Sequence, residues 1–426
     1  MSPVPLWRLI ALTTLGFALT LTTNTLEPAV LSHQVLALAP NEPNRALGLT
    51  TFAGLLVASV AQPLVGVLSD HTRSRWGRRL PYIVGGALLA APCLYVIALA
   101  PVFGLVIAGV LVLQLAASVV QTPWLALVPD LVPPGQRGRA AGLRAFMDIL
   151  ALVIGRQVAG LLVGGAERWG SAALVAAVSV PVAVYGLALT ITWLGLRPAP
   201  GFVPQPAPDP ATTRALGHAF AGAFAVDWRA HPAFVWWFIN RLLFWAAFIA
   251  LTTFLVFFLI DVAGMAAAQA QRYVGTLSIV IGGALVAVTV PAGWLADRIG
   301  RKPLVAAAGF IAAAGAGVLV VAPSLSVITA AAFVVGLGVG LFLSANWALV
   351  TDIVPRDQAA RYLGLANVAS VIGSASARLL GAALIDPVNQ AFGSHSAGYT
   401  LLYGLAAVLF LLSALAILPL KVEKPG

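Results

Sequence analysis

Twelve apolar blocks, each long enough to cross a bilayer, govern what this chain can fold into. A hydrocarbon core takes roughly 20 residues of helix to span. The blocks predict helices near 7–31, 46–68, 80–100, 102–127, 139–164 and 171–195. A second set is expected near 232–261, 273–296, 303–322, 325–350, 361–385 and 397–420. Only 9% of the residues are charged and 60% are hydrophobic, whereas a soluble domain carries about 25% charged residues. These features predict an all-α integral membrane protein of twelve transmembrane helices.

The net charge of +10 raises the question of nucleic acid, which the placement of the basic residues answers. With the N-terminus in the cytoplasm, Arg45, Arg168 and Arg272 fall in outer loops and four Arg lie inside helices. That leaves 17 of the 24 Lys and Arg in cytoplasmic segments. This is the positive-inside pattern, and it predicts both termini in the cytoplasm. Basic loops facing anionic lipid headgroups account for the charge, and no nucleic-acid partner is expected. The first apolar run is too long for a signal peptide and is read as a retained helix. Cys93 is the only cysteine, which excludes an intrachain disulfide or a cysteine metal cluster. His33, His71, His218, His231 and His395 show no metal-ligand spacing.

The longest polar interruption, 197–230, is Pro-rich and reads as a cytoplasmic linker between domains 1–196 and 231–426. Repeats flank it. ALVPDLVPPGQRGRAAGL at 126–143 matches ALVTDIVPRDQAARYLGL at 348–365 with a constant offset of 222. Pro133, Gln136, Arg139 and Gly142 recur as Pro355, Gln358, Arg361 and Gly364, and Arg156 recurs as Arg378. Gly66-Val67-Leu68-Ser69-Asp70 recurs as Gly293-Trp294-Leu295-Ala296-Asp297, and Gly77-Arg78-Arg79 as Gly300-Arg301-Lys302.

Two parallel six-helix halves with this charged loop resemble the major facilitator superfamily, which implies two pseudo-symmetric bundles. Asp70, Arg78, Arg79, Arg137, Asp297 and Arg301 are then expected to form a cytoplasmic gate. Asp70 ends a helix whose dipole is negative there, so compensation by Arg78 or Arg137 is expected. The alternative is that these charges only set topology.

A narrower resemblance runs through Gln62-Pro63-Leu64-Val65-Gly66, Arg75-Trp76-Gly77-Arg78-Arg79-Leu80-Pro81-Tyr82-Ile83, Pro123-Trp124-Leu125-Ala126 and Leu143-Arg144-Ala145-Phe146. These segments are similar to the glycoside–pentoside–hexuronide:cation symporters and the plant sucrose–proton symporters. The resemblance implies sugar transport and places a substrate-contacting arginine at Arg144. Sodium-coupled members carry carboxylates where this chain has Ala58, Gln62 and Gln121, and a hard cation wants such oxygens. No sodium site of that kind is expected. The position matching the sucrose transporters' acidic residue is Gln114, which cannot titrate.

Away from the helix ends, six acidic or arginine residues lie within the helices: Glu27, Arg144, Asp148, Arg156, Arg241 and Arg378. Each costs roughly 2.5–3.5 kcal/mol at a helix centre on the insertion scale, so such residues mark a pathway by default. Arg144 and Asp148 are four apart and can pair on one helix face. Asp148 is a candidate proton carrier, against the alternative of a permanent salt bridge. Glu27 is the other candidate, or it pairs with Arg156 or Arg378. Those two arginines can equally satisfy backbone carbonyls and pack the bundles. Four Arg against two acids leave an excess of positive charge, which an anionic substrate would relieve.

On the seventh helix Asn240, Arg241, Phe244 and Phe248 recur at helical spacing and combine polar with aromatic groups. Trp236 and Trp237 fit an interfacial aromatic belt. The expected function is alternating-access transport of a sugar or glycoside with protons. Arg144, Asp148, Trp124, Gln121, Asn240, Arg241 and Trp347 would contact substrate. An exporter, a uniporter of another solute and a non-transporting sensor are the alternatives. No nucleophile–His pair, metal cluster or phosphate loop is present, so no enzyme and no cofactor are expected. Arg outnumbers Lys 21 to 3, which fits a GC-rich bacterial source; an inner-membrane location and a monomer are expected.

Overall fold

The computed structural model describes residues 4–72, 74, 76–196, 231–321, 324–354 and 359–420. Among them are twelve helices with the length and composition to cross a membrane. They are α1 (Leu6–Leu38), α2 (Pro43–His71), α3 (Leu80–Leu99), α4 (Phe103–Leu131), α5 (Arg137–Val163) and α6 (Ser171–Leu196). The second six are α7 (Pro232–Thr253), α8 (Ala267–Ile299), α9 (Arg301–Val321), α10 (Leu325–Ile353), α11 (Ala359–Phe392) and α12 (Ala397–Ala416). The expected linker at 197–230 lies outside the described residues.

Local chemistry explains several boundaries. Pro81 and Pro232 sit in the first turns of α3 and α7, where the missing N–H is not needed. Gly77 and Gly300 take φ of 83° and 89° in the loops after α2 and α8. Only glycine reaches that region freely, which explains why the repeat keeps glycine at both places. Two helices run past their expected ends. α1 continues through Pro28 to Leu38 by loosening into a π-helical stretch at Leu26–Leu31. α11 continues through Pro387 to Phe392. Membrane helices tolerate such prolines because local adjustment re-satisfies the freed carbonyls.

The chain divides into two compact units. The first comprises Met1–Asn41, Thr50–Gly217 and Gln271–Gly275; the second comprises Glu42–Leu49, His218–Ala270 and Thr276–Gly426. Inside the first, α1 packs on α5 and α6, and α3 packs on α4 and α6. Inside the second, α7 packs on α11 and α12, and α9 packs on α10 and α12. The internal pairing is the same, as a duplication requires. Glycines allow the close approaches: a Cβ on Gly86 would lie 2.8 Å from the Ala116 carbonyl, and one on Gly338 2.8 Å from that of Ala308. Along α2, Leu56, Val60, Leu64 and Leu68 form an exposed row four residues apart. An apolar stripe of that length suits lipid rather than water.

Gly16 on α1 makes room for a residue of the expected site. A Cβ there would stand 2.4 Å from the Trp124 ring. Trp124 is buried and its indole N–H donates to the Leu12 carbonyl at 2.6 Å. Overpacking of this kind costs about 1–3 kcal/mol. Gly16→Ala is therefore expected to lower the melting temperature of the purified protein. An unchanged melting temperature would show that the indole can move aside.

Candidate functional site

In the first unit, Arg144 and Asp148 lie on one face of α5, as their spacing requires. Their side chains approach to 3.6 Å, Arg144 Nε to Asp148 Oδ2. Thr20 of α1 donates its hydroxyl to the other carboxylate oxygen at 3.0 Å. Arg144 stands over the Trp124 ring, 4.9 Å from its centroid, within cation–π range. Both charged side chains keep more than a third of their surface exposed, so the pair is open to a ligand or a proton. Gln121 and Gln62 share a 3.3 Å hydrogen bond one helical turn before Trp124. Thr20 was not foreseen, because a threonine in an apolar helix carries no signal until its neighbour is known.

Glu27 falls in the π-helical stretch of α1, a distortion frequent at functional sites. It lies within electrostatic reach of Arg156, whose Nε donates to Asn24 Oδ1 at 3.1 Å. Arg378 donates to the Ser374 carbonyl at 3.2 Å.

In the second unit, Arg241 is the centre of a buried polar network. Its Nε donates to the Ala366 carbonyl at 3.1 Å and Ser370 Oγ at 2.9 Å. Its Nη1 donates to Asn346 Oδ1 at 2.7 Å. Trp347 and Trp237 flank the guanidinium at 4.6 and 5.5 Å. Asn240 donates to the Ser413 carbonyl and hydroxyl and accepts from Asn346, so its amide is engaged by the protein itself. Beneath it Phe244 stacks on Phe342 at 3.7 Å. Trp236 is exposed, in keeping with a belt position, but Trp237 is not a belt residue. It is fully buried and donates to the Asn346 carbonyl at 3.0 Å, because it lies one position nearer the face that Arg241 occupies.

At the α2–α3 loop the compensation of Asp70 differs from expectation. Arg79, not Arg78, pairs with Asp70. Arg79 also reaches Asp130 at 3.2 Å and Ser69 Oγ at 2.7 Å, and Arg78 pairs with Asp130 at 2.9 Å. Arg79 is the buried residue just before the first turn of α3, which aims it at the ends of both α2 and α4. The side chains of Arg137 and Asp297 lie outside the described residues. Arg301 donates to the Ala348 carbonyl at 2.7 Å. Asp130 was missed as a gate residue, although its recurrence as Asp352 in the repeat was a usable signal.

A second polar cluster, also missed, occupies the other end of α2. Asn44 donates to Asp386 Oδ1 at 2.7 Å and Tyr399 donates to Asp261 Oδ2 at 2.6 Å. Asn44 and Tyr399 are themselves hydrogen-bonded, and the Arg45 backbone N–H donates to Asp386 Oδ2 at 2.8 Å. Asp386 lies just past the expected end of its helix, and Asp261 is the last residue of another.

Twelve candidate spans in two alike six-helix sets mark a multi-pass membrane protein. Solved structures share the fold. A bacterial homolog of the human lysosomal transporter Spinster, inward-facing and occupied, aligns with a TM-score of 0.73, 15% identity, and coverage of 97% of this chain and 96% of that one. The nucleoside transporter NupG aligns at 0.69 with 15% identity, over 97% and 99%. The chain belongs to the MFS/sugar transport protein family, whose profile matches residues 43–362. Local relatives include an uncharacterized symporter of Synechocystis, 44% identical over 11% of this chain and 8% of that protein. The proton-associated sugar transporter A of Homo sapiens is 31% identical over 28% of this chain and 18% of its own length. The minor myo-inositol transporter IolF of Bacillus subtilis is 28% identical over 21% and 20%. The matches thus span a fifth or less of these relatives.

Proposed function

We propose that this chain carries a sugar or glycoside across a bacterial inner membrane by alternating access, together with a proton, with both termini in the cytoplasm. The reading rests most on the Arg144–Asp148 pair beside Trp124. A charged Asp148 holds the guanidinium. A protonated Asp148 releases it to donate to vicinal hydroxyls, whose spacing suits its planar fork. The Trp124 ring, itself buried, backs the guanidinium and holds Arg144 in place. Proton and sugar binding then favour one another, which is the requirement for symport. Gln121 and Trp347 are further contacts in this reading, and Asn240 acts by holding Asn346. The Asp70–Arg79–Asp130–Arg78 cluster serves as the inner gate. The names of the two relatives that mention sugar or inositol transport support the solute class.

The test is uptake by proteoliposomes of a radiolabelled mono- and disaccharide panel, with and without an inward proton gradient. Accumulation of at least one sugar only with the gradient is the expected result. Sugar equilibration that ignores the gradient would leave a uniporter. No uptake of any sugar by folded protein would remove the sugar reading.

A further inference from the structure

We propose that Asp386 is a proton-sensitive latch on the start of α2: charged, it holds Asn44 and Arg45, and protonated, it lets the first two turns lift away. The proposal goes beyond the transport reading and rests on it only for which side of the membrane this end faces. Those turns, within Glu42–Leu49, pack with the second unit, while α2 from Thr50 onward belongs to the first. The packing is close, since a Cβ on Gly48 would lie 2.6 Å from the Arg378 carbonyl and 2.8 Å from the Ala382 Cβ. One turn earlier, Asn44 is 1% exposed, and Asp386 is 6% exposed. The Arg45 N–H is one of the first-turn donors that a helix leaves without a partner of its own. Asp386 supplies that partner from α11, and its charge suits the positive end of the α2 dipole.

Both oxygens of the Asp386 carboxylate are committed. Oδ1 takes the Asn44 amide at 2.7 Å and Oδ2 takes the Arg45 N–H at 2.8 Å. A carboxyl that gains a proton becomes a donor at that oxygen. Whichever oxygen of Asp386 carries it, that oxygen faces an N–H, so one of the two holds is lost together with the charge. Asp261 differs. Among the described residues Tyr399 donates to its Oδ2 alone, at 2.6 Å, so a proton on Oδ1 leaves that bond intact. The ionisable groups around the two aspartates are Glu42 and Arg45 of α2, which pair with each other at 2.9 Å, together with His395 and Tyr399. Among the described residues no cationic side chain bonds to Asp386. A carboxylate buried without one takes up a proton where one is offered. In the proposed topology this end of α2 faces outside, the acidic side for a proton-driven importer. The other account is that the cluster is fixed packing, the same at every pH.

Hydrogen exchange of the purified full chain separates the two accounts, read as the protection of amides 45–49 after division by their intrinsic rates. The protection of α10 is the reference. Between about pH 7.5 and about pH 4.5 the wild type is expected to lose about tenfold in protection at the start of α2, as loss of a charged cap predicts. A hold that depends on a carboxylate's charge is lost as pH falls, which fixes the sign. Asp386→Asn sets an amide nitrogen against one of the two donors, so low protection at both pH values is expected. Asn44→Ala frees Oδ1 for the proton, and protection should then change little with pH. This second variant decides the matter if Asp386→Asn does not fold. Asp261→Asn and His395→Gln should keep the wild-type response. The proposal falls if wild-type protection is equal at the two pH values, or if α10 loses protection in step, since acid would then loosen the whole chain. A response that survives in folded Asp386→Asn or Asn44→Ala, or that vanishes in Asp261→Asn or His395→Gln, would also overturn it. Either failure leaves the sugar and proton reading untouched, because no solute enters this experiment.

Discussion

Proteoliposomes carrying Asp148→Asn are expected to bring labelled sugar to the same concentration inside and out, and no further, under a proton gradient that drives the wild type uphill. One pH unit is worth about 1.4 kcal/mol, enough for about tenfold accumulation by a one-to-one symporter. The variant cannot gain a proton, so that driving force is lost in full. Asparagine keeps the shape of the side chain. It can still accept from the Thr20 hydroxyl, which lies 3.0 Å from the carboxylate in the native protein. Its amide nitrogen takes the place of the oxygen that faced Arg144 and cannot accept from it, which leaves the guanidinium released as in the protonated state, so downhill exchange of labelled for unlabelled sugar persists at a reduced rate. Loss of both accumulation and exchange would make the pair structural. Accumulation that persists would pass the proton to Glu27, which lies beside Arg156 in the π-helical stretch of α1.

The fold was legible because membrane helices announce themselves by length and because the chain repeats itself. Gly77 and Gly300 show how well: one pattern in two places became one backbone conformation in two places. The Arg144–Asp148 pair was legible for a local reason, since residues four apart on a helix must meet. The polar cluster at Asn44 was not. Asn44 and Asp386 are 342 residues apart, and nothing local in either segment refers to the other. One helix end was also set too early. The apolar block was ended at 385, so Asp386 fell outside a helix that in fact continues through Pro387 to Phe392, and a buried carboxylate escaped the count of charges within the membrane. Trp237 escaped for a related reason. Composition puts a tryptophan near a helix start in the lipid interface, whereas packing against Asn346 and Arg241 buried this one.

Arg79→Gln is expected to weaken the charged cluster at the α2–α3 loop more than the loss of any other single residue in it. Arg79 is the only one of the four charged groups that touches both carboxylates, Asp70 and Asp130. Its side chain is 10% exposed, and that of Asp130 is 21%. Removing one partner of a buried pair costs about 3–5 kcal/mol, because the other charge is left uncompensated. Arg78 still holds Asp130 at 2.9 Å, and Asp70 keeps over a third of its surface in solvent, so the lower end of that range applies. At about 1.4 kcal/mol per tenfold, about 3 kcal/mol shifts a closed-to-open ratio roughly a hundredfold. The purified variant should melt at lower temperature, and, on the gate role proposed above, its uptake should fall. Asp130→Asn tests the assignment by a double-mutant cycle. If Arg79 and Asp130 act as one unit, Arg79→Gln combined with Asp130→Asn should be milder than the sum of the two single changes, since that sum counts the loss of the Arg79–Asp130 contact twice. Strict additivity of the two effects would mean that the contact contributes nothing and that Arg79 acts through Asp70 and Ser69 alone.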